Sequence, residues 1–158
     1  QLGVESDELI VGNGSNELIQ MVLTAFGGNR RKVLFPAPSY AMYKVMTPLE
    51  CSVPLEVPLV EGWDLDLPAM LQAIEVHRPK VVLLSYPNNP TGNCFSEEKI
   101  LEVLRVAPGV VVVDEAYFYF SRKTFLPRLK DFPNLTILRT LSKAGMASLR
   151  VGILIANR

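Results

Sequence analysis

The chain has 158 residues, and its 16 lysines and arginines balance 16 aspartates and glutamates to a formal net charge of zero. Against a prior of about 150 residues per domain this is one domain, and the neutral balance offers neither the basic footprint of a nucleic-acid binder nor a polybasic membrane anchor. Hydrophobic residues make up 49% and charged residues 20%, fewer charges than the roughly 25% of an average soluble domain, which suits a sheet covered on both faces or a surface docked on another domain or subunit.

Seven short apolar runs, at 9–11, 32–35, 51–57, 81–85, 110–113, 135–138 and 151–155, predict seven strands. Amphipathic segments at 16–26, 40–47, 68–76 and 96–106 predict helices between them, the last opened by Ser96 as N-cap with Glu97 and Glu98 in its first turn. Alternation of strand and helix implies parallel strands joined by right-handed crossovers, hence a three-layer, doubly wound α/β sheet. Val110-Val111-Val112-Val113 fits a strand buried on both faces, which has no need to alternate. The last two runs are joined by a short stretch containing Gly and Ser, so one strand is expected to run antiparallel. Cys51 and Cys94 form no CxxC and have no histidine cluster beside them, which predicts two buried or half-buried thiols in a reducing compartment. No apolar run approaches the roughly 18 residues of a membrane span, and Gln1-Leu2-Gly3-Val4 lacks a signal-peptide plan, so the chain reads as cytoplasmic. It opens without methionine and stops as an apolar run ends, which suggests a piece of a longer protein.

In an open α/β sheet, ligands bind beyond the carboxyl ends of the strands, so the informative residues follow each apolar run. After the first comes Gly12-Asn13-Gly14-Ser15-Asn16-Glu17, where glycines and an immediate helix start suit a phosphate held on free N–H groups, although a capped tight turn would read the same. After the fourth comes Tyr86-Pro87-Asn88-Asn89-Pro90-Thr91-Gly92, whose two prolines make a rigid loop able to aim a side chain. After the fifth, Asp114-Glu115-Ala116-Tyr117 puts an acid at the strand tip and a phenol three residues on, with Glu115 directed to the opposite side in a supporting role. After the sixth, Arg139-Thr140-Leu141-Ser142-Lys143 leads into Ala144, Gly145, Ala147 and Ser148 and then Arg150. A lysine among small residues is either a solvated surface residue or a desolvated amine of the kind that forms a Schiff base. Among the rest, His77 is expected in a surface loop, Trp63 as the half-buried anchor of a loop, and Tyr119 and Phe120 in the core.

These tips together offer an amine, an acid, a phenol with an aimed amide, and a phosphate cradle with an arginine behind it. Pyridoxal 5'-phosphate needs such a set: an amine to link, an anion to keep its ring nitrogen protonated, donors to its phenolic oxygen, and cations and N–H groups for its phosphate. The segments Gly12-Asn13-Gly14-Ser15-Asn16-Glu17-Leu18-Ile19, Pro38-Ser39-Tyr40-Ala41-Met42-Tyr43, Pro87-Asn88-Asn89-Pro90-Thr91-Gly92, Val113-Asp114-Glu115-Ala116-Tyr117 and Arg139-Thr140-Leu141-Ser142-Lys143 resemble the fold-type I, class I/II aminotransferases. Within that family the likeness is strongest to the histidinol-phosphate aminotransferases, and it spans nearly the whole chain in order.

The resemblance implies that Lys143 is the cofactor-linking lysine, that Asp114 faces the pyridine nitrogen, and that Tyr117 and Asn89 donate to the phenolic oxygen. It implies that Tyr40 stacks on the ring, and that Ser15, Asn16, Thr140, Ser142 and Arg150 hold the phosphate. Small-molecule partners follow, an amino donor and a keto-acid acceptor. Family members commonly place the phosphate arginine eight positions after the lysine, whereas Arg150 follows Lys143 by seven; Arg150 is preferred to Arg158 because Leu149-Arg150-Val151-Gly152 fits the family pattern. Members also have an N-terminal arm, a smaller C-terminal domain with a substrate-binding arginine, and a homodimer. Residues 1–158 then correspond to the cofactor-binding large domain. Relatives of aromatic or aspartate specificity, or a decarboxylase of a phosphorylated amino acid, would share the same residues, and a non-catalytic scaffold is an alternative of another class. A nucleotide-binding domain is disfavoured, because neither GxGxxG nor GxxxxGK[ST] occurs.

Overall fold

The computed structural model describes residues 3–157, so Gln1 and Leu2 of the opening segment and Arg158, the alternative phosphate arginine, lie outside the described residues. In chain order the elements are β1 (Leu9–Asn13), α1 (Gly14–Phe26), β2 (Lys32–Ala37), α2 (Ala41–Leu49), β3 (Val53–Pro58), α3 (Leu67–His77), β4 (Val81–Ser85), α4 (Glu97–Val106), β5 (Val110–Asp114), the short α5 (Phe118–Ser121), β6 (Leu135–Thr140) and β7 (Val151–Ala156). The strands form one seven-stranded sheet in the order β1-β7-β6-β5-β4-β2-β3. β7 is antiparallel to both of its neighbours, and the other pairings are parallel. The doubly wound sheet with one antiparallel strand is therefore the architecture found.

The layers follow from apolar spacing. α1 buries Leu18, Ile19, Val22 and Leu23, the i, i+4 rows of one helical face, and packs them with α2 residues Tyr43 and Met46 against Val33, Leu83, Val112 and Leu138 of the sheet. On the opposite face α3 and α4 bring Met70, Ile74, Ile100 and Val103 against Leu34, Val82, Val111 and Ile137. Adjacent residues of β4 and β5 thus feed different layers, which is why those strands are continuous apolar runs.

Several expectations need correction. β3 begins at Val53 rather than Cys51, because Cys51 adopts φ +56 in the preceding turn and is exposed. Trp63 is 52% exposed, since it sits with φ +62 in a tight turn after Gly62. Tyr119 and Phe120 are not core residues: the chain turns into α5 after β5, and Phe120 is 73% exposed. His77 is exposed but ends α3 rather than lying in a loop. Ser96 occupies the N-cap position of α4 without a capping bond, its hydroxyl donating instead to Glu98 at 2.7 Å. Among the described residues no helix is long and apolar enough to cross a membrane.

Candidate active site

The parallel strands end together at one edge, and the expected site residues gather there. β1 leads directly into α1 through Gly14, whose φ of +81 suits only glycine and whose Cβ, if present, would lie 2.5 Å from Nη2 of Arg150. The second close approach is at Gly152 on β7, where a Cβ would meet the Gly14 carbonyl carbon at 2.5 Å. These two glycines let the start of α1 settle onto β7. Asn13 supplies no side-chain cap; its own amide donates to Glu17 Oε2 at 2.6 Å. The first-turn amides, including those of Ser15 and Asn16, are left directed outward, where a helix N-terminus favours an anion. Arg150, in the left-handed conformation with φ +52, donates from Nη2 to the Asn13 carbonyl at 3.3 Å. The shorter step from Lys143 thus still delivers the guanidinium to the α1 terminus.

β6 ends in a tight turn braced by its own side chains. Thr140 is 3% exposed, its hydroxyl donating to the Val151 carbonyl at 3.0 Å and accepting from the Ser142 amide at 3.2 Å. Ser142 is half-buried beside it, and Lys143 lies one residue on, in a single 3-10 turn. Lys143 is exposed rather than desolvated, because the Ala144–Ser148 stretch around it is itself exposed or half-buried. Its Nζ lies 5.1 Å from the centroid of the Tyr117 ring, a cation–π distance that joins the β6 tip to the β5 tip.

At the β5 tip, Asp114 is 4% exposed. One carboxylate oxygen accepts from the Tyr43 hydroxyl at 2.8 Å and the other from the Ala116 amide at 3.0 Å. Burial pushes its pKa from the ordinary 3.8 up to about 6, with those two hydrogen bonds pulling the other way. Glu115 points away from this site, as alternation requires. Its buried carboxylate pairs with Arg139 at 2.9 Å and accepts from the Phe125 amide at 2.7 Å, and the Arg139 guanidinium lies 4.0 Å over the Phe118 ring. This cluster ties the two strands that carry Asp114 and Lys143.

The loop after β4 is held by Asn88, whose amide donates to the Pro38 carbonyl and the Thr91 hydroxyl and accepts from Ser39. Asn89, next in this loop, lines a cavity of about 390 Å³ together with Tyr117, Phe120 and Ser121. Tyr40, at the start of α2, donates to the Asn16 side chain at 3.1 Å and stands edge-on to Tyr43 at 5.5 Å. Three features were not read from the sequence: the Gly14–Gly152 approach, the cavity wall formed by Phe120 and Ser121, and Tyr43 beneath Asp114. Only the last left a trace, a second tyrosine one helical turn after Tyr40.

The profile of the family described as Aminotransferase class I and II matches residues 2–158. Histidinol-phosphate aminotransferase 2 from Nitrosococcus oceani is 50% identical over 153 residues, which is 97% of this chain and 42% of that protein. Histidinol-phosphate aminotransferase from Thermoanaerobacter sp. is 43% identical over 156 residues, 98% of this chain and 44% of that protein. Among solved structures, histidinol-phosphate aminotransferase from Sinorhizobium meliloti in complex with pyridoxal-5'-phosphate superposes with a TM-score of 0.88 at 25% identity, covering 98% of this chain and 44% of that one. The chain therefore spans less than half the length of these relatives. With five motifs in register on a doubly wound sheet and a family profile covering nearly every residue, this chain belongs to the aminotransferase class I and II family.

Proposed function

We propose that this chain is the large-domain core of a pyridoxal-phosphate-dependent aminotransferase, and that the full-length protein converts histidinol phosphate and 2-oxoglutarate to imidazole acetol phosphate and glutamate, a step of histidine biosynthesis. The observation that supports this most is the convergence of Lys143, Tyr117 and Asp114 at adjacent strand tips, next to a helix N-terminus flanked by Arg150. The donor set fits the cofactor: Gly14, lacking a Cβ, lets the Arg150 guanidinium lie against the α1 N-terminus, where the two suit its phosphate, and the buried Asp114 suits a cationic ring nitrogen. When bound, the cofactor supplies an electron sink for charge developing at the substrate α-carbon.

The chain's residues divide the remaining work. Lys143 would provide the amine that binds the cofactor and, as a neutral amine, would move the proton to and from the substrate α-carbon. Asp114 holds a negative charge in a dry site, where it is strongest. Tyr117 and Asn89 would donate hydrogen bonds to the phenolic oxygen, and Tyr40 would cover the ring. Ser15 and Asn16 would offer amides to the phosphate, Arg150 a fork of N–H donors, and Ser142 a hydroxyl that lies 3.1 Å from the Thr140 hydroxyl. Replacing Arg150 with Lys keeps the charge and loses the fork, so the full-length protein should bind the cofactor about 1–3 kcal/mol more weakly in a fluorescence titration.

The rest of the enzyme lies in an N-terminal arm and a C-terminal small domain of the longer protein, the latter with an arginine for the substrate. A homodimer completes it. The free thiols Cys51 and Cys94 suit the reducing cytoplasm.

The substrate assignment rests on the 43–50% identity to the named relatives. In the full-length protein, histidinol phosphate should drive glutamate formation from 2-oxoglutarate with a kcat/KM at least about tenfold above that of aspartate or phenylalanine, a difference of about 1.4 kcal/mol. Turnover of those amino acids in preference to histidinol phosphate would keep the reaction class and overturn the substrate.

A further inference from the structure

Tyr43 is wholly buried, yet it carries a hydroxyl where a phenylalanine would pack as well. A buried hydroxyl is costly unless it is bonded, and this one donates to Asp114 Oδ2 at 2.8 Å across 71 residues of chain. The ring is held on two sides, by Phe35 at 5.9 Å and by Tyr40 at 5.5 Å, so the hydroxyl cannot easily swing away. We propose that Tyr43 is a positioning residue of the reaction, holding Asp114 ionised and oriented for a cationic ring nitrogen through the Oη–Oδ2 hydrogen bond. The catalytic half of this rests on the cofactor reading given above; the Tyr43–Asp114 half stands on the structure alone.

The groups facing Asp114 narrow the source of its charge control. From α2 comes the Tyr43 hydroxyl, and from the turn after β5 the Ala116 amide. On β4, Ser85 reaches the Tyr43 hydroxyl and donates to the Pro87 carbonyl at 3.0 Å. On β6, Asp114 lies opposite Leu138, and the nearby cation Arg139 is engaged by Glu115 on the other side of the strand. Among the described residues no lysine or arginine forms an ion pair with Asp114. Two hydrogen bonds therefore oppose the desolvation of this carboxylate, and only one comes from a side chain. Burial, followed by the Asp114 charge, raises the Tyr43 pKa well above the ordinary phenol value, so it stays a neutral donor throughout the working pH range.

The test uses the full-length protein with Tyr43, with Tyr43→Phe, and with 3-fluorotyrosine placed at position 43, whose more acidic hydroxyl is a stronger donor of nearly the same size. In cofactor-free protein, carboxyl carbon NMR of labelled aspartate, assigned with Asp114→Asn, reads the titration of Asp114. Tyr43→Phe should move it upward by about one pH unit, a tenfold change in proton affinity, and the fluorinated ring should move it downward. The pH at which pyridoxal phosphate binding reaches half its maximal strength should move in the same two directions. Coincident titrations, or displacement of both variants in one direction, would overturn the proposal in favour of packing alone. If Tyr43→Phe does not fold, the fluorinated protein decides by the direction of its displacement. A protein that takes up no cofactor would overturn the reading of the site and the catalytic half of this proposal, while the cofactor-free titration would still decide whether Tyr43 controls Asp114.

Discussion

Replacing Lys143 with Ala in the full-length protein is expected to lower kcat by about 10⁴-fold or more, the upper end for loss of a positioned acid–base group alone. On the proposed reading, the variant removes at once the amine that would bind the cofactor covalently and the base that would move the α-proton. Two other lysines are already engaged elsewhere, Lys44 with Glu56 and Lys99 with Asp64. Folding should be little affected, because Lys143 is exposed and its one ring contact is with Tyr117. Single-turnover kinetics with saturating cofactor would measure this. A loss below about tenfold would mean that the lysine only lies near the site.

Replacing Asp114 with Asn is expected to lower kcat by about 10²–10³-fold, the range for removing one preorganised electrostatic group. The amide has the shape of the carboxylate but not its charge, and only its oxygen can accept from Tyr43 or Ala116. The variant also carries a pH signature. In cofactor-free protein the folded-state pKa of Asp114 is raised to about 6 from the ordinary 3.8. Its contribution to stability is therefore fully present below about pH 4 and is lost as pH rises through about 6. The stability of the wild-type protein relative to Asp114→Asn should accordingly decline across that window, by up to about 3 kcal/mol in equilibrium unfolding. A flat difference would mean that Asp114 titrates like an ordinary surface aspartate.

The sheet and the placement of most candidate site residues at its edge were legible in the sequence for the same reason. In a doubly wound fold each apolar run ends at the ligand-binding edge, so Asp114, Asn89, Ser15 and Lys143 announce themselves by following a strand. Burial was legible where a strand is covered on both faces, as for Val111, Val112 and Val113 of β5, and illegible where a short turn redirects the chain, as at Trp63 and Phe120. The bond between Tyr43 and Asp114 was beyond local reading, because it joins α2 to β5 through tertiary packing alone. So was the reason for Gly152, which lies in the backbone of Gly14 rather than in its own strand. The exposure of Lys143 contrasts with the dry pocket its proposed chemistry needs.

The most direct measurement is to load the full-length protein with pyridoxal phosphate, reduce it with borohydride, and map the retained cofactor by peptide mass spectrometry. One cofactor per chain, located on Lys143 within the Thr140 to Arg150 segment, is the predicted result. Cofactor retained on another lysine, or none retained at all, would contradict the assignment of these strand tips as the active site.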